Sequence, residues 1–158
     1  CAFSVVAAEA GAEKVVNVDM AKGALNTGRF NHQLNNIETR SVSYLSHDIF
    51  KSWGKIRKYG PYDLMIIDPP SFQAGSFNVR KDYQKIVRKL PGLLAPQAQV
   101  IACVNSPDLS FDFLRELFKE VGGFVERKVI DPPRSFPESD ASKGLKTLLF
   151  EKNTEHQG

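Results

Sequence analysis

Cysteine, tryptophan and long hydrophobic runs are all scarce in this 158-residue sequence. Its two cysteines, Cys1 and Cys103, stand far apart and outside any metal-ligand spacing, which argues against a disulfide scaffold and a cysteine-based metal site. No uninterrupted apolar run approaches the roughly 18 residues that a membrane-spanning helix needs, and no secretory signal is recognisable. These absences favour a reduced, cytoplasmic protein without a metal centre or a membrane partner.

The charges are almost balanced, because 21 Lys and Arg residues against 18 Asp and Glu residues give a net charge of +3. A dedicated nucleic-acid-binding domain usually has a larger excess of positive charge, so this balance permits a polyanionic partner without requiring one. With 42% hydrophobic residues, the chain is long enough for one domain with a substantial core. We assign that domain to residues 1–152 and regard the polar residues 153–158 as a tail.

The most informative stretch is an apolar strand pattern that ends in two prolines. Tyr62 to Ile67 is mostly apolar and is typical of a strand buried on both faces near the middle of a parallel sheet. The strand must end at Asp68, because Pro69 and Pro70 cannot donate hydrogen bonds to a sheet ladder. Open α/β sheets bind their ligands just beyond the carboxyl ends of such strands.

The residues after this strand could hold a flat substrate. Asp68 offers a carboxylate, Pro69 and Pro70 present rigid carbonyl groups, and the Phe72 ring could stack on a nucleobase or a similar planar group. A strand-to-loop exit with a buried Phe explains the same residues equally well. Spacing alone therefore does not decide between the two interpretations.

Two acidic residues close other predicted strands. Lys14 to Val18 indicates a short buried strand that stops at Asp19, whose carboxylate oxygens could accept both ribose hydroxyls of an adenosine cofactor. Asp48 follows a weaker strand over residues 41–45. Either aspartate could instead cap the helical segment after it by accepting free backbone N–H groups, and for Asp48 that segment would run from Ile49 to Lys58.

A family resemblance rests on these strand ends. The motif over residues 68–72, Asp-Pro-Pro-Ser-Phe, resembles the fourth motif of class I S-adenosylmethionine-dependent methyltransferases, whose general form is Asp/Asn-Pro-Pro-aromatic. The wider frame, with Val15–Asp19 upstream and Gln99–Cys103 downstream, is most similar to the bacterial branch that modifies large-subunit (23S) ribosomal RNA. The likeness covers nearly the whole chain, from about Cys1 to Lys152.

The resemblance implies an α/β fold. The expected architecture is a doubly wound, mainly parallel, Rossmann-like sheet with helices on both faces. The first strand of that sheet and part of the cofactor loop are expected to be missing from this chain.

The resemblance also implies which residues act. Cys1 to Ser4 would be the end of the cofactor loop, Asp19 the ribose ligand, Asp48 the acceptor of the adenine amino group, and Ile49 a residue that packs on the adenine ring. The implied cofactor is S-adenosylmethionine, held by Phe3, Asp19, Met20, Asp48, Ile49 and Asp68. The implied catalytic residues, which orient the target base, are Asp68, Pro69, Pro70 and Phe72.

Cys103 bears on the type of methyl acceptor. Methylation at pyrimidine C5 needs a thiolate that adds to the ring, and relatives with that chemistry are expected to carry Ser-Cys-Ser past this strand. Asn105 and Ser106 occupy that place here, and Cys103 is predicted to lie inside the strand as a small hydrophobe. The pattern therefore favours a nitrogen acceptor, which needs only to be positioned against the methyl group.

Other functions remain open beside methylation of RNA, the expected partner. One is a non-catalytic RNA-binding module with the same fold. Another is a nicotinamide-dependent dehydrogenase, since an acidic strand end suits the ribose of NAD equally well. The oligomeric state is left open, with a homodimer as one option for the full-length protein.

Two central segments carry further predictions. A helix is expected over residues 21–35, with His32 on its surface. Gln73 to Val79 has no clear periodicity and is expected to form a mobile cover over the site. The inner stripe of the helix is predicted to be Ala24, Leu25, Leu34 and Ile37.

The later part of the chain predicts two helices and two paired strands. One helix follows from apolar residues at i, i+3, i+4 and i+7 from Tyr83. The other is expected over Ser110–Val121, and the strands over Phe124–Ile130 and Leu145–Glu151. The first helix carries outer cations that could contact phosphates, namely Arg80, Lys81, Lys85, Arg88 and Lys89.

A second Asp-Pro-Pro sequence lies at residues 131–133, between the two predicted strands. A proline-rich edge connection explains it better than a duplicate site does. Arg134 and Lys143 in this connection could help to hold RNA.

Overall fold

The computed structural model describes residues 1–75, 77–133, 135, 140 and 143–153. The chain divides into two compact units, Cys1–Tyr59 and Gly60–Gly158. No helix in these described ranges combines the length and the apolar character needed to cross a membrane.

The first unit contains three helices and one pair of parallel strands. β1 and β2 pair from Val15 opposite Val42 to Asp19 opposite Ser46, so their carboxyl ends share one edge. Short 3-10 turns flank β2 on both sides. The elements in chain order are α1 (Ala2–Glu9), β1 (Val15–Asp19), α2 (Lys22–Leu34), β2 (Val42–Ser46) and α3 (Trp53–Tyr59).

The buried side of α2 differs from the predicted stripe. Its buried residues are Leu25, Gly28 and His32, whereas Leu34 is 63% exposed and Ala24 is also exposed. Leu25 is confirmed as an inner residue, but Ala24 and Leu34 are not. The surface position predicted for His32 is wrong, because polar partners inside the unit satisfy its ring nitrogens.

The second unit contains a four-stranded mixed sheet in the order β3-β6-β8-β7. β3 and β6 are parallel, and β8 is antiparallel to both of its neighbours. The α/β class and the pairing of the last two strands are therefore confirmed. The elements are β3 (Tyr62–Ile67), β4 (Phe72–Gln73), β5 (Phe77–Asn78), α4 (Val79–Val87), β6 (Leu94–Val104), α5 (Phe111–Val121), β7 (Phe124–Val129) and β8 (Lys146–Lys152).

β3 is less buried than its sequence predicts. It lies at the edge of the four-stranded sheet, and Leu64 is 43% exposed. The prediction of a strand buried on both faces is therefore wrong for this unit. The reason is its position, since β3 has a hydrogen-bonded neighbour in this sheet on one side only, which is β6.

The segment after the Asp-Pro-Pro turn forms a short hairpin. β4 pairs antiparallel with β5, with Phe72 opposite Asn78, and Gly75 takes a φ of +73° in the connection. The Asn78 side chain then caps α4 by accepting the N–H of Arg80 at 3.0 Å. The sequence of residues 73–79 showed no clear periodicity and did not indicate this hairpin, and the mobility of this cover stays a prediction.

The net positive charge on the outer face of α4 is smaller than its sequence suggests, because carboxylates pair with several of its cations. Exposed ion pairs contribute little to stability, at most about 1 kcal/mol each, but they neutralise charges that could have faced phosphates. Three of the five predicted cations are paired: Arg80 with Asp108, Lys85 with Asp82 and Arg88 with Glu120.

Candidate functional site

Asp19 is the last residue of β1 and is exposed at the edge where β1 and β2 end. Its Oδ1 accepts the backbone N–H of Ala21 at 2.7 Å, and its carbonyl oxygen accepts the N–H of His47 at 3.1 Å. The carboxylate thus helps to shape the turn into α2, but it is not the cap of that helix, whose N-cap residue is Ala21 without a side-chain hydrogen bond. Because a carboxylate has a second oxygen, it retains the capacity to accept a ribose hydroxyl.

Asp48 lies two residues beyond the end of β2, at the same edge. Its Oδ1 accepts the N–H of Phe50 at 2.9 Å, and Lys51 Nζ lies 3.7 Å from its Oδ2. The capping role is confirmed, although the capped segment is the 3-10 turn Ile49–Lys51 and not a continuous helix to residue 58. α3 begins only at Trp53.

The edge of the first unit also carries apolar side chains. Met20 and Ile49 directly follow the two aspartates, with Met20 49% exposed and Ile49 half-buried. Phe3, at 53% exposure, precedes Ser4, whose hydroxyl accepts a hydrogen bond from β1. Carboxylates beside exposed apolar surface suit an adenosine, which offers hydroxyl donors on its ribose and a flat face on its base.

Asp68 and the residues after it stand at the carboxyl end of β3 in the second unit. Asp68 is exposed as a residue, yet desolvation of its carboxyl group raises its pKa above the usual Asp range. Pro69 is half-buried and Pro70 is exposed. Phe72 is 69% exposed, so the alternative of a buried Phe is wrong.

A hydrogen bond joins the Asp-Pro-Pro turn to the segment after β6. The two strands are neighbours, with Ile67 opposite Ala102, so both turns leave the same edge of the sheet. Ser71 Oγ donates to the carbonyl oxygen of Asn105. The segment 105–108 is therefore the second wall of the candidate acceptor site.

Lys146 supports this second wall and was missed by sequence reasoning. It is only 2% exposed, and its Nζ donates to the carbonyl oxygen of Ser106 at 3.1 Å. The available signal was a lysine at the start of a strand with the apolar run Leu148–Phe150, because a lysine that is buried there needs a specific partner.

Asp108 closes the same segment. Hydrogen bonds from the Ser106 hydroxyl and the Arg80 guanidinium lower the pKa of Asp108 to about 2. The group is therefore a carboxylate at neutral pH, and it links the loop after β6 to the start of α4.

Cys103 lies inside β6 and is buried. Burial raises the pKa of its thiol above the usual Cys range, and Thr147 Oγ1 lies 3.7 Å from its sulfur. The predicted position inside the strand is confirmed. A buried, protonated thiol is a poor nucleophile, since the thiolate is the reactive form.

The second Asp-Pro-Pro sequence leaves β7 as an exposed connection at residues 131–133. Of the two cations proposed to hold RNA there, Arg134 lies outside the described residues. Lys143 Nζ lies 3.3 Å from a carboxylate oxygen of Asp140. Residues 154–158 of the predicted tail also lie outside the described ranges.

Comparisons of sequence agree with the strand-end motifs. A family model described as S-adenosylmethionine-dependent methyltransferase matches residues 1–151. Ribosomal RNA large subunit methyltransferase I from Shewanella frigidimarina is 32% identical over 163 residues, covering 90% of this chain and 40% of that protein. The protein of the same name from Aeromonas hydrophila is 36% identical over 98 residues, covering 60% of this chain and 25% of that protein.

Solved structures share the architecture. SMU.776, complexed with SAH, superposes with a TM-score of 0.86 at 26% identity and covers 95% of this chain and 42% of its own. An S-adenosylmethionine-dependent methyltransferase from Agrobacterium tumefaciens has a TM-score of 0.70 at 25% identity, with coverage of 96% and 52%. The chain spans between 25% and 40% of the length of the two relatives from Aeromonas hydrophila and Shewanella frigidimarina.

Proposed function

Because the chain belongs to the family of S-adenosylmethionine-dependent methyltransferases, we propose that it is the catalytic part of an enzyme that methylates a base of 23S ribosomal RNA. Relatives named ribosomal RNA large subunit methyltransferase support this choice of substrate. The observation that carries the proposal is the exposed Phe72 ring directly beyond the Asp-Pro-Pro turn of β3.

The residues at the edge of β1 and β2 fit the cofactor of this family. Asp19 would accept the ribose hydroxyls and Asp48 the adenine amino group, while Phe3, Met20 and Ile49 would supply apolar surface. S-adenosylmethionine, when bound, supplies a methyl group on a positively charged sulfur that is already a good leaving group. The protein therefore has mainly to hold donor and acceptor in line, with the reacting atoms about 3 to 3.5 Å apart.

The turn after β3 would hold the target base. Phe72 would stack on the base, and the carbonyl groups around Pro69 and Pro70 would accept hydrogen bonds from its edge. Asp68 would accept an N–H group of the base. Because its carboxylate is partly desolvated, that bond is stronger than the same bond in bulk water.

A nitrogen atom is the favoured methyl acceptor. Addition to a pyrimidine ring before C5 methylation needs a thiolate, and Cys103 is buried in β6 as a thiol of raised pKa. A base nitrogen has its own lone pair and needs no covalent partner.

Methyl transfer by the complete protein tests the proposal. Incubation with S-adenosylmethionine carrying a labelled methyl group should place label in 23S ribosomal RNA from cells that lack the gene. Mass spectrometry of the nucleosides should find it on a base nitrogen. Label at pyrimidine C5 would contradict the nitrogen assignment, and RNA binding without transfer would indicate a non-catalytic module. Calorimetry that detects NADH binding but no S-adenosylhomocysteine binding would indicate a dehydrogenase.

A further inference from the structure

We propose that His32 is a positioning residue for the cofactor site, because together with Gly28 it fixes residues 1–4, and with them Phe3, against α2. The inference rests on the proposed function, since Phe3 is assigned there to the cofactor. His32 is fully buried on α2, although the hydrophobic pattern of that helix did not predict an inner position for it.

His32 is 0% exposed and makes hydrogen-bond contacts to α1, α2 and β2. Its Nε2 lies 2.7 Å from Ser4 Oγ, and its Nδ1 lies 2.7 Å from the carbonyl oxygen of Gly28. The Tyr44 hydroxyl lies 3.0 Å from the same Nδ1. A polar ring buried this completely must have its hydrogen bonds made, because an unmet bond there would be destabilising.

The partners determine where the ring carries its proton. The Gly28 carbonyl oxygen can only accept, so Nδ1 must carry hydrogen and donate. Asn17 Nδ2 donates to Ser4 Oγ at 3.0 Å, and we assign the Ser4 hydroxyl hydrogen to the bond with Nε2, which then accepts. In this arrangement one ring hydrogen, at Nδ1, serves the Gly28 carbonyl oxygen, and Nε2 accepts from Ser4.

Gly28 lets the start of the chain approach α2 closely. A Cβ atom at position 28 would lie 2.4 Å from Cys1 Sγ and 2.8 Å from Cys1 Cβ, both far inside van der Waals contact. Any larger residue would therefore displace Cys1. One turn further along α2, His32 holds Ser4, so the same helix face fixes residues 1–4 at both ends.

The segment fixed in this way includes a proposed cofactor residue. Phe3 lies between Cys1 and Ser4 and is 53% exposed. Ser4 is held by His32 of α2 and by Asn17 of β1, and Cys1 lies close to Gly28 of α2. Asp19 ends that same strand two residues after Asn17. The network therefore sets the position of Phe3 relative to the carboxylate that would accept the ribose.

Nitrogen NMR of the imidazole ring in the complete protein tests the network directly. The wild-type signal of His32 should show a neutral ring protonated at Nδ1. Asn17→Asp replaces a donor by a carboxylate, which would take the Ser4 hydroxyl hydrogen and require Nε2 to donate instead. The variant should therefore show a doubly protonated ring, and a wild-type ring protonated at Nε2 would overturn the proposal.

Calorimetry with S-adenosylhomocysteine tests the effect on the cofactor site. Ser4→Ala removes the hydroxyl and should weaken binding about five- to tenfold, the effect of one buried hydrogen bond. Ser4→Thr keeps the hydroxyl and should bind within about twofold of the wild type. RNA binding should change little in both variants.

Two controls separate positioning from loss of stability. Leu25→Val removes a methylene from the same buried helix face without touching the network, and it should leave S-adenosylhomocysteine affinity unchanged. Gly28→Ala should weaken binding, while Gly28→Ala combined with Cys1→Gly, which removes the clash, should restore it. If Ser4→Ala and Gly28→Ala bind as tightly as the wild type, this inference fails alone. If the wild type itself does not bind, the proposed function fails.

Discussion

Phe72 combines a large exposed ring with a firmly attached backbone. The ring is 69% exposed, while the preceding Ser71 is tied to Asn105 and the residue itself pairs with Asn78 in the hairpin. A ring that is held at its base but open to solvent can stack on a ligand with little further loss of conformational entropy. The exposed apolar surface of Phe72 should therefore contribute to RNA binding and not to the stability of the fold.

Phe72→Ala should weaken RNA binding by about 5- to 150-fold, since stacking of a base on an aromatic side chain is worth about 1 to 3 kcal/mol. Filter binding measures this loss. Affinity for S-adenosylhomocysteine and the free energy of unfolding should stay near the wild-type values, and Phe72→Trp should retain RNA binding. Equal losses of RNA and S-adenosylhomocysteine affinity would count against the stacking role.

Asp68→Asn should stabilise the fold at neutral pH while it lowers the rate of methyl transfer about tenfold, because a neutral amide oxygen accepts a weaker hydrogen bond than a carboxylate. Desolvation raises the pKa of Asp68 in the folded protein, so its ionised form is disfavoured there. The contribution of Asp68 to the free energy of unfolding is therefore fully present below the unfolded pKa of about 3.9, where the carboxyl group is protonated. It is lost as pH rises through the higher folded pKa and the desolvated group must ionise.

The stability difference between Asp68→Asn and the wild type should therefore grow as pH rises from about 4 towards neutrality. Urea unfolding at a series of pH values measures it. A difference that stays constant over this range would show that Asp68 is not desolvated in solution.

At the scale of elements, α5 holds the two antiparallel strands through three phenylalanine rings. Phe118 is 2% exposed and stacks on Phe150 of β8, with ring centroids 3.8 Å apart and planes 5° from parallel. The same ring meets Phe124 of β7 edge to face at 5.2 Å and 87°. One helix side chain thus fixes both strands, one of which carries Lys146.

Phe118→Ala should lower the free energy of unfolding by about 3 to 5 kcal/mol, because it removes a buried ring and leaves a cavity. Phe30→Ala on α2 is the matched control, since Phe30 is 57% exposed and its loss should change stability by about 0.5 kcal/mol or less. Chemical denaturation of both variants measures the difference. Similar effects for the two substitutions would contradict the packing described for α5.

At the scale of the whole molecule, the proposed roles divide between the two units. The proposed cofactor residues lie in the first unit, Cys1–Tyr59, with the exception of Asp68. The proposed acceptor residues Asp68, Pro69, Pro70 and Phe72 all lie in the second unit. Cofactor binding should therefore protect backbone amides of the first unit more than those of the second.

S-adenosylhomocysteine should slow hydrogen exchange of the amides that donate to the two aspartates, namely those of Ala21, His47 and Phe50. Where exchange requires release of the ligand, the slowing should reach about 100-fold at a ligand concentration 100 times the Kd. Mass spectrometry of the peptides measures it. The amide of Val125 in β7 is the control, and equal slowing there would argue against a binding edge in the first unit.

Local sequence patterns predicted a large part of the fold and of the candidate site. Apolar runs, prolines and acidic strand ends identified β1 and β3, placed Asp19 and Asp68 at the ends of strands, and supported the family resemblance. They could do so because strand ends and caps depend on hydrogen bonds between residues a few positions apart. For the same reason the pattern could not decide whether Phe72 is buried.

The sequence by itself thus determined the α/β class, the strand-end motifs, the family and part of the core, such as Leu25, whereas only the tertiary structure decided the burial of polar residues and the exposure of apolar ones. His32 is buried because Ser4, 28 positions away, meets its ring. Lys146 is buried because Ser106, 40 positions away, accepts its ammonium, and Leu64 is exposed because β3 is an edge strand. For these residues burial or exposure depends on neighbours brought together by folding, and their local hydrophobic patterns do not contain that information.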